Sequence, residues 1–196
     1  ELMDHQWSLK HIHRLILNSY TYQQSSQVAR SEYRATPEND HVTRFESRRL
    51  SAEEIYDSLL QIAGSLKPGV GRVDSNRAIY RRIGNAHQWL EGSLFDAPAV
   101  GTITPQRDES TVAPQALYML NSAFVIDTAK KLARKAAEGK RPLVAQIEFA
   151  YRALFGREPT DEEYKLLTER LSELPTSQHW HIYQVLIASN EFLYLD

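Results

Sequence analysis

The sequence predicts a mainly α, irregular helical domain of about six helices with one long loop-rich insert. Three observations carry this. Apolar residues recur at steps of three and four through most of the chain. A Ser or Thr followed three residues later by Glu twice announces a helix start. Pro and Gly fall where these patterns stop.

Ser8 is a good N-cap, and Leu9, Ile12, Leu15 and Ile16 form one stripe behind it. The polar and aromatic run Ser19-Tyr20-Thr21-Tyr22-Gln23-Gln24-Ser25-Ser26 ends that helix, and 27–50 reads as irregular around Pro37, Asn39 and Asp40. Ser51 and Glu54 make a capping box for a helix through Ile55, Leu59, Ile62 and Leu66, stopped by Pro68-Gly69. A short strand or an extended piece is expected around Ala78-Ile79-Tyr80, within 72–82, and 83–113 has no sustained period.

Pro114 suits the first turn of a helix through Leu117 and Leu120 to Asn121. Ser122 caps a continuation with Val125, Thr128, Ala129, Leu132 and Ala136, closed by Gly139. The next helix runs from Pro142 through Leu143, Ile147, Ala150, Tyr151 and Leu154 to Gly156. Thr160 and Glu163 form a second capping box ahead of Tyr164, Leu167 and Leu171. The last helix, 178–189, is apolar on most faces, as a helix buried on most sides would be.

At 196 residues the chain is long enough for a sizeable core, and it reads as one domain over 1–196 with 83–113 as its insert. Apolar residues at 42% and charged residues at 24% are ordinary for a globular protein. A net charge of −2 lacks the field of a nucleic-acid binder, so nucleic acid is not an expected partner. No apolar run is long enough to span a bilayer. With no Cys, this segment offers no disulfide, thiolate zinc site, iron–sulfur cluster or covalent haem attachment. The opening Glu1-Leu2-Met3-Asp4 is already in helical register, which is expected of a segment cut from a longer chain.

Chemistry-bearing residues are few in kind. His11 and His13 are two apart on a helix and so point about 200° from each other. His179 and His181 share that spacing, and neither pair has a carboxylate partner in a ligand motif; the expected metal set is none. Glu53-Glu54 and Asp161-Glu162-Glu163 lie in opening helical turns, where they complement the dipole. Asp108-Glu109, with Asp96 and Arg107, is the polar cluster that local structure leaves unexplained. Two carboxylates about 5 to 9 Å apart serve glycoside hydrolysis, and a loop pinned by Arg107–carboxylate bonds predicts the same residues. Arg72, Arg77, Arg81 and Arg82 with Tyr80 and Trp89 form a basic, aromatic run that either tracks a polyanion or is a solvated face. The residues expected to bind a ligand or organise the loop are Trp89, Asp96, Arg107, Asp108, Glu109 and Gln115. No catalytic residue is assigned.

Several motifs in order carry a resemblance. They are Trp7-Ser8-Leu9-Lys10 with Ile16-Leu17-Asn18-Ser19 and Tyr22-Gln23-Gln24-Ser25-Ser26; Arg48-Arg49-Leu50-Ser51-Ala52-Glu53-Glu54-Ile55; Phe95-Asp96-Ala97-Pro98; and Thr111-Val112-Ala113-Pro114-Gln115-Ala116-Leu117. Leu154-Phe155-Gly156-Arg157 with Pro159-Thr160 and Ser189-Asn190-Glu191-Phe192-Leu193-Tyr194 complete the set. Together they resemble the planctomycete-type family catalogued as domain of unknown function fifteen-fifty-three. The resemblance implies the carboxy-terminal part of a large exported protein, an extracytoplasmic location, and often a cytochrome c-like domain elsewhere in the parent. Haem c would then belong to the parent, with no cofactor in this segment. The residues between Arg82 and Phe95 depart from the family wording, and Arg107 stands alone where the family commonly has two arginines.

Two functions follow as expectations. The first is a non-enzymatic interaction or scaffolding module that packs on the missing amino-terminal part of its own chain. The alternative is a polysaccharide-acting hydrolase that uses carboxylates of 95–110.

Overall fold

The computed structural model describes residues 1–67, 69, 76–80, 92–98, 103, 105 and 107–195. It is mainly α, as expected, and the described residues contain nine α-helical segments rather than about six. They divide into two compact units, Glu1–Arg48 with Tyr194–Asp196 and Arg49–Leu193.

In the first unit, α1 (Leu9–Leu17) starts where Ser8 Oγ accepts from the His11 backbone N–H at 3.3 Å. The amphipathic stripe is present, yet α1 buries none of its residues. A six-residue helix, α2 (Arg30–Ala35), lies in the stretch expected to be irregular. It is too short to show a period, and no side chain caps its start. Arg44 is buried beneath the loop that follows. Its guanidinium donates to Thr36 O at 2.7 Å and Pro37 O at 2.8 Å and lies 4.6 Å over the Tyr33 ring. Asn39, at φ 51, donates to Arg44 O at 3.0 Å, so the loop carries its own side-chain framework. Two two-residue strands, β1 (Arg48–Arg49) and β2 (Tyr194–Leu195), are the short extended elements among the described residues.

The second unit begins with α3 (Ala52–Ile62), and its capping box forms: Ser51 N donates to Glu54 Oε2 at 2.8 Å and Glu54 N to Ser51 Oγ at 3.3 Å. The helix ends before Leu66 because Gly64 takes φ +65. Lys135 crosses Gly64 to donate to Ile62 O at 3.1 Å, and a Cβ at Gly64 would collide with its Nζ. The strand or extended piece expected around 78–80 is a 3₁₀ turn. Asp57 decides this by accepting from Ala78 N at 2.8 Å and Arg77 Nε at 2.9 Å.

A second helical group follows. It comprises α4 (Ala113–Asn121), α5 (Ala123–Ala137), α6 (Leu143–Phe155), α7 (Asp161–Glu173), α8 (Trp180–Ile187) and α9 (Asn190–Leu193). Ser122, at ψ 129, breaks α4 from α5 and caps the latter. Gly139 and Gly156 close α5's trailing turn and α6 at φ 68 and 70.

α5 is the hub, packed by α8, α6, α3 and α4. Its Val125, Ala129, Leu132 and Ala136 are buried with Ile55, Leu59, Met119 and Ile187. Burying the Val, Leu, Ile and Met side chains of this set stabilises by about 1.5–3 kcal/mol each, and the alanines less. α8 departs from the expectation of burial on most sides, since Val185 is exposed while Gln184 is buried. Gln184 Nε2 donates to Leu120 O at 2.7 Å, satisfying a carbonyl at the end of α4.

Candidate functional site

The polar centre of the second unit lies where the residues before α3, the Phe95-Asp96 turn and the start of α4 meet. Asp96 follows a 3₁₀ turn (Gly92–Phe95) and takes φ +58, a region that Asp tolerates better than most residues. That turn aims its carboxylate at Ser110, whose N–H donates to Oδ2 at 2.9 Å and whose hydroxyl donates to Oδ1 at 2.7 Å. Arg49 Nη2 also donates to Oδ2, at 2.9 Å. Both charged side chains are nearly removed from solvent, at 11% exposure for Arg49 and 13% for Asp96.

Gln115 completes the ring. It sits in the first turn of α4, and its Oε1 accepts from Val112 N at 3.2 Å, satisfying an N–H at the helix start. The same oxygen accepts from Arg49 Nη1 at 2.5 Å. Its amide nitrogen donates to Leu94 O at 2.8 Å and Ser110 O at 3.1 Å. Arg49 Nη1 donates to Ser110 O as well. Arg49 also lies 5.7 Å over the Phe95 ring, which packs edge-on to Tyr118 at 5.5 Å.

The electrostatics follow from this geometry. Burial by itself pushes the Asp96 carboxyl upward. The Ser110 N–H and hydroxyl, with Arg49, outweigh it and hold the group below the usual carboxylate range. Asp96 is therefore an anion with three donors on it, and its chemistry is that of a hydrogen-bond acceptor that closes a loop.

The remaining expected residues are placed as follows. Arg107 does not join this ring. It makes a two-pronged pair with Glu53, Nη1 to Oε2 at 2.7 Å and Nη2 to Oε1 at 2.9 Å, tying the loop to the first turn of α3. Asp108 and Glu109 are exposed and have no bonded partner among the described residues. Trp89 lies outside the described residues, as do Arg72, Arg81 and Arg82 of the basic run. Arg77 pairs with Asp57. His179 and His181 each face a backbone carbonyl, of Leu174 at 3.1 Å and of Gln178 at 2.8 Å.

Sequence reasoning missed Arg49 and Ser110. One signal was present. A cation just before a helix N-terminus opposes the dipole, so Arg49, two residues ahead of Ser51, needed a partner elsewhere. Hollows of about 570 Å³, lined by Lys130, Arg134, Leu143, Gln146 and Trp180 among others, and of about 330 Å³, lined by Asp57, Arg77, Leu154 and Phe192 among others, take no wall from 95–110.

The fold and this centre define a mainly α protein whose most buried ionic pair, among the described residues, latches a loop to two helix starts. The family model described as "Protein of unknown function (DUF1553)" matches residues 1–171, and the chain belongs to that family. No curated protein and no solved structure matches it.

Proposed function

We propose that the chain is a non-enzymatic interaction or scaffolding module of a larger exported protein, of the kind that often carries a cytochrome c-like domain. The observation that carries the reading is α1. Leu9, Leu15 and Ile16 of the stripe are all exposed on a helix of strong apolar-to-polar asymmetry. Such a stripe is a docking face rather than a solvated one. The occupant is the part of the parent chain that precedes residue 1. The latch supports the same reading, because Asp96, Arg49 and Gln115 spend their polar atoms on one another. Haem would sit elsewhere in the parent, since this chain has no Cys for thioether attachment. The setting is extracytoplasmic.

The test is reconstitution. The preceding part of the parent chain, expressed separately, is expected to co-purify with residues 1–196. A Leu15→Glu, Ile16→Glu double variant is expected to abolish that association while leaving the melting temperature of the isolated chain within a degree or two. Retained association would end the reading. So would polysaccharide cleavage that disappears in an Asp108→Asn, Glu109→Gln variant, which would instead establish the hydrolase.

A further inference from the structure

Residues 1–5 form one helix-like turn, in which His5 N donates to Glu1 O at 3.1 Å, followed by two consecutive left-handed residues, Gln6 at φ 53 and Trp7 at φ 60. That reversal lays the turn back against the start of α1. Glu1 and His5, four apart on the turn, thereby face His11 in the first turn of α1. Glu1 Oε1 lies 2.7 Å from His11 Nε2 and 3.6 Å from His5 Nδ1, and the three ligand atoms all lie within 4.8 Å of one another. The sequence spacing that separates His11 from His13 does not apply to His5, which reaches His11 through tertiary structure.

We propose that Glu1, His5 and His11 form a site for a divalent transition-metal ion, with Zn²⁺ the best match. Two imidazoles and one carboxylate are a ligand set zinc accepts, and three protein ligands leave the fourth tetrahedral position open to water or to a group from a partner. Bonds of about 2.0–2.2 Å place tetrahedral ligand atoms roughly 3.4 Å apart. The distances from Glu1 Oε1 fall on either side of that value, and assembly has to turn His5 Nδ1 away from Glu1 O, which it faces at 3.0 Å. The His5 and His11 rings are stacked at 3.7 Å and 7°. An ion bound in the plane of each ring has to open that stack, which gives the site its own signature. The ion would also stitch the first turn to α1, the helix that presents the exposed apolar stripe.

The experiment is Zn²⁺ titration of the 196-residue chain by calorimetry, with Co²⁺ absorption as a report on coordination and imidazole proton shifts as a report on the stack. One ion per chain is expected, with His5 and His11 ring resonances moving together as the stack opens. His5→Ala, His11→Ala and Glu1→Gln are each expected to weaken binding about tenfold or more. His13→Ala and His181→Ala are expected to leave it unchanged, and acetylation of the amino terminus is expected to preserve it. All three ligand residues are at or near the surface, so unchanged circular dichroism is the check that each variant folds. Absence of stoichiometric binding would overturn the site. Equal losses from His13→Ala, or binding that leaves the ring stack unaltered, would do the same.

Discussion

Two arginines organise the second unit, and they do so differently. Arg157, just past the end of α6, donates two-pronged to Glu163 at 2.7 and 2.8 Å and to Glu191 at 2.6 and 2.8 Å, and it covers the rings of Tyr151 and Phe155. Arg49 holds Asp96, Gln115 and a backbone carbonyl. The Arg157 node is more exposed, at 37% for the arginine and 28% for Glu163, against 11% and 13% at the Arg49 node. Charges near water attract each other weakly, and one partner's loss leaves the other solvated. Charges out of water are costly to leave alone. The comparison teaches that ligand count is a poor guide: Arg157 holds two carboxylates, yet Arg49 is the residue whose removal strands a buried anion.

The sharpest way to break this comparison is to delete each cation. Arg49→Met is expected to destabilise by about 3 kcal/mol, because Asp96 keeps a buried charge with one donor group fewer. Arg157→Met is expected to cost about 1 kcal/mol. Urea midpoints measure both, and equal losses would show that burial is not what separates the nodes.

Substitution of Asp96 separates backbone from charge. Asp96→Ala forfeits three hydrogen bonds and places Ala at φ +58, for an expected loss of about 2–3 kcal/mol. Asn tolerates that backbone and still accepts from Ser110 but leaves the buried Arg49 without its counter-charge, so Asp96→Asn is expected to cost only about 1 kcal/mol less than Asp96→Ala. Thermal melts of the two should differ clearly.

Acid titration affects both nodes in the same direction. Arg157, followed by the Thr160 N–H and hydroxyl, holds the Glu163 carboxyl down to about 2 against an ordinary 4.5, although burial opposes this. A carboxyl depressed in the folded state contributes stability that is fully present above 4.5 and is lost as pH falls toward about 2. Asp96 acts in the same sense, with its carboxyl held below the ordinary 3.8. Glu163→Gln is therefore expected to flatten the fall in unfolding free energy between pH 4.5 and about 2. An unchanged slope would remove Glu163 as its source.

The smallest effect belongs to Arg107. Its pair with Glu53 is 44% and 27% exposed, so Glu53→Gln is expected to cost within about 0.5 kcal/mol at low salt and less at high salt. In Arg49→Met, by contrast, the loss should persist at high salt.

Helix starts were readable in residue order because both partners of each bond lie within one turn. Ser51 with Glu54 and Thr160 with Glu163 form capping boxes where the spacing placed them. The stops at Gly139 and Gly156 rest on the same local physics, since only backbone conformation is involved. What spacing does not encode is partnership across the chain. Arg49 reaches Asp96, Ser110 and Gln115 over 47, 61 and 66 residues. Asp57 turns 78–80 into a 3₁₀ turn from 21 residues away, and His5 meets His11 through two left-handed residues that no helical period predicts. Periodicity likewise gave α1 its apolar stripe without saying whether anything covers it. Local bonds are set by neighbours along the chain; burial and the pairing of charges are set by which segments the core brings together.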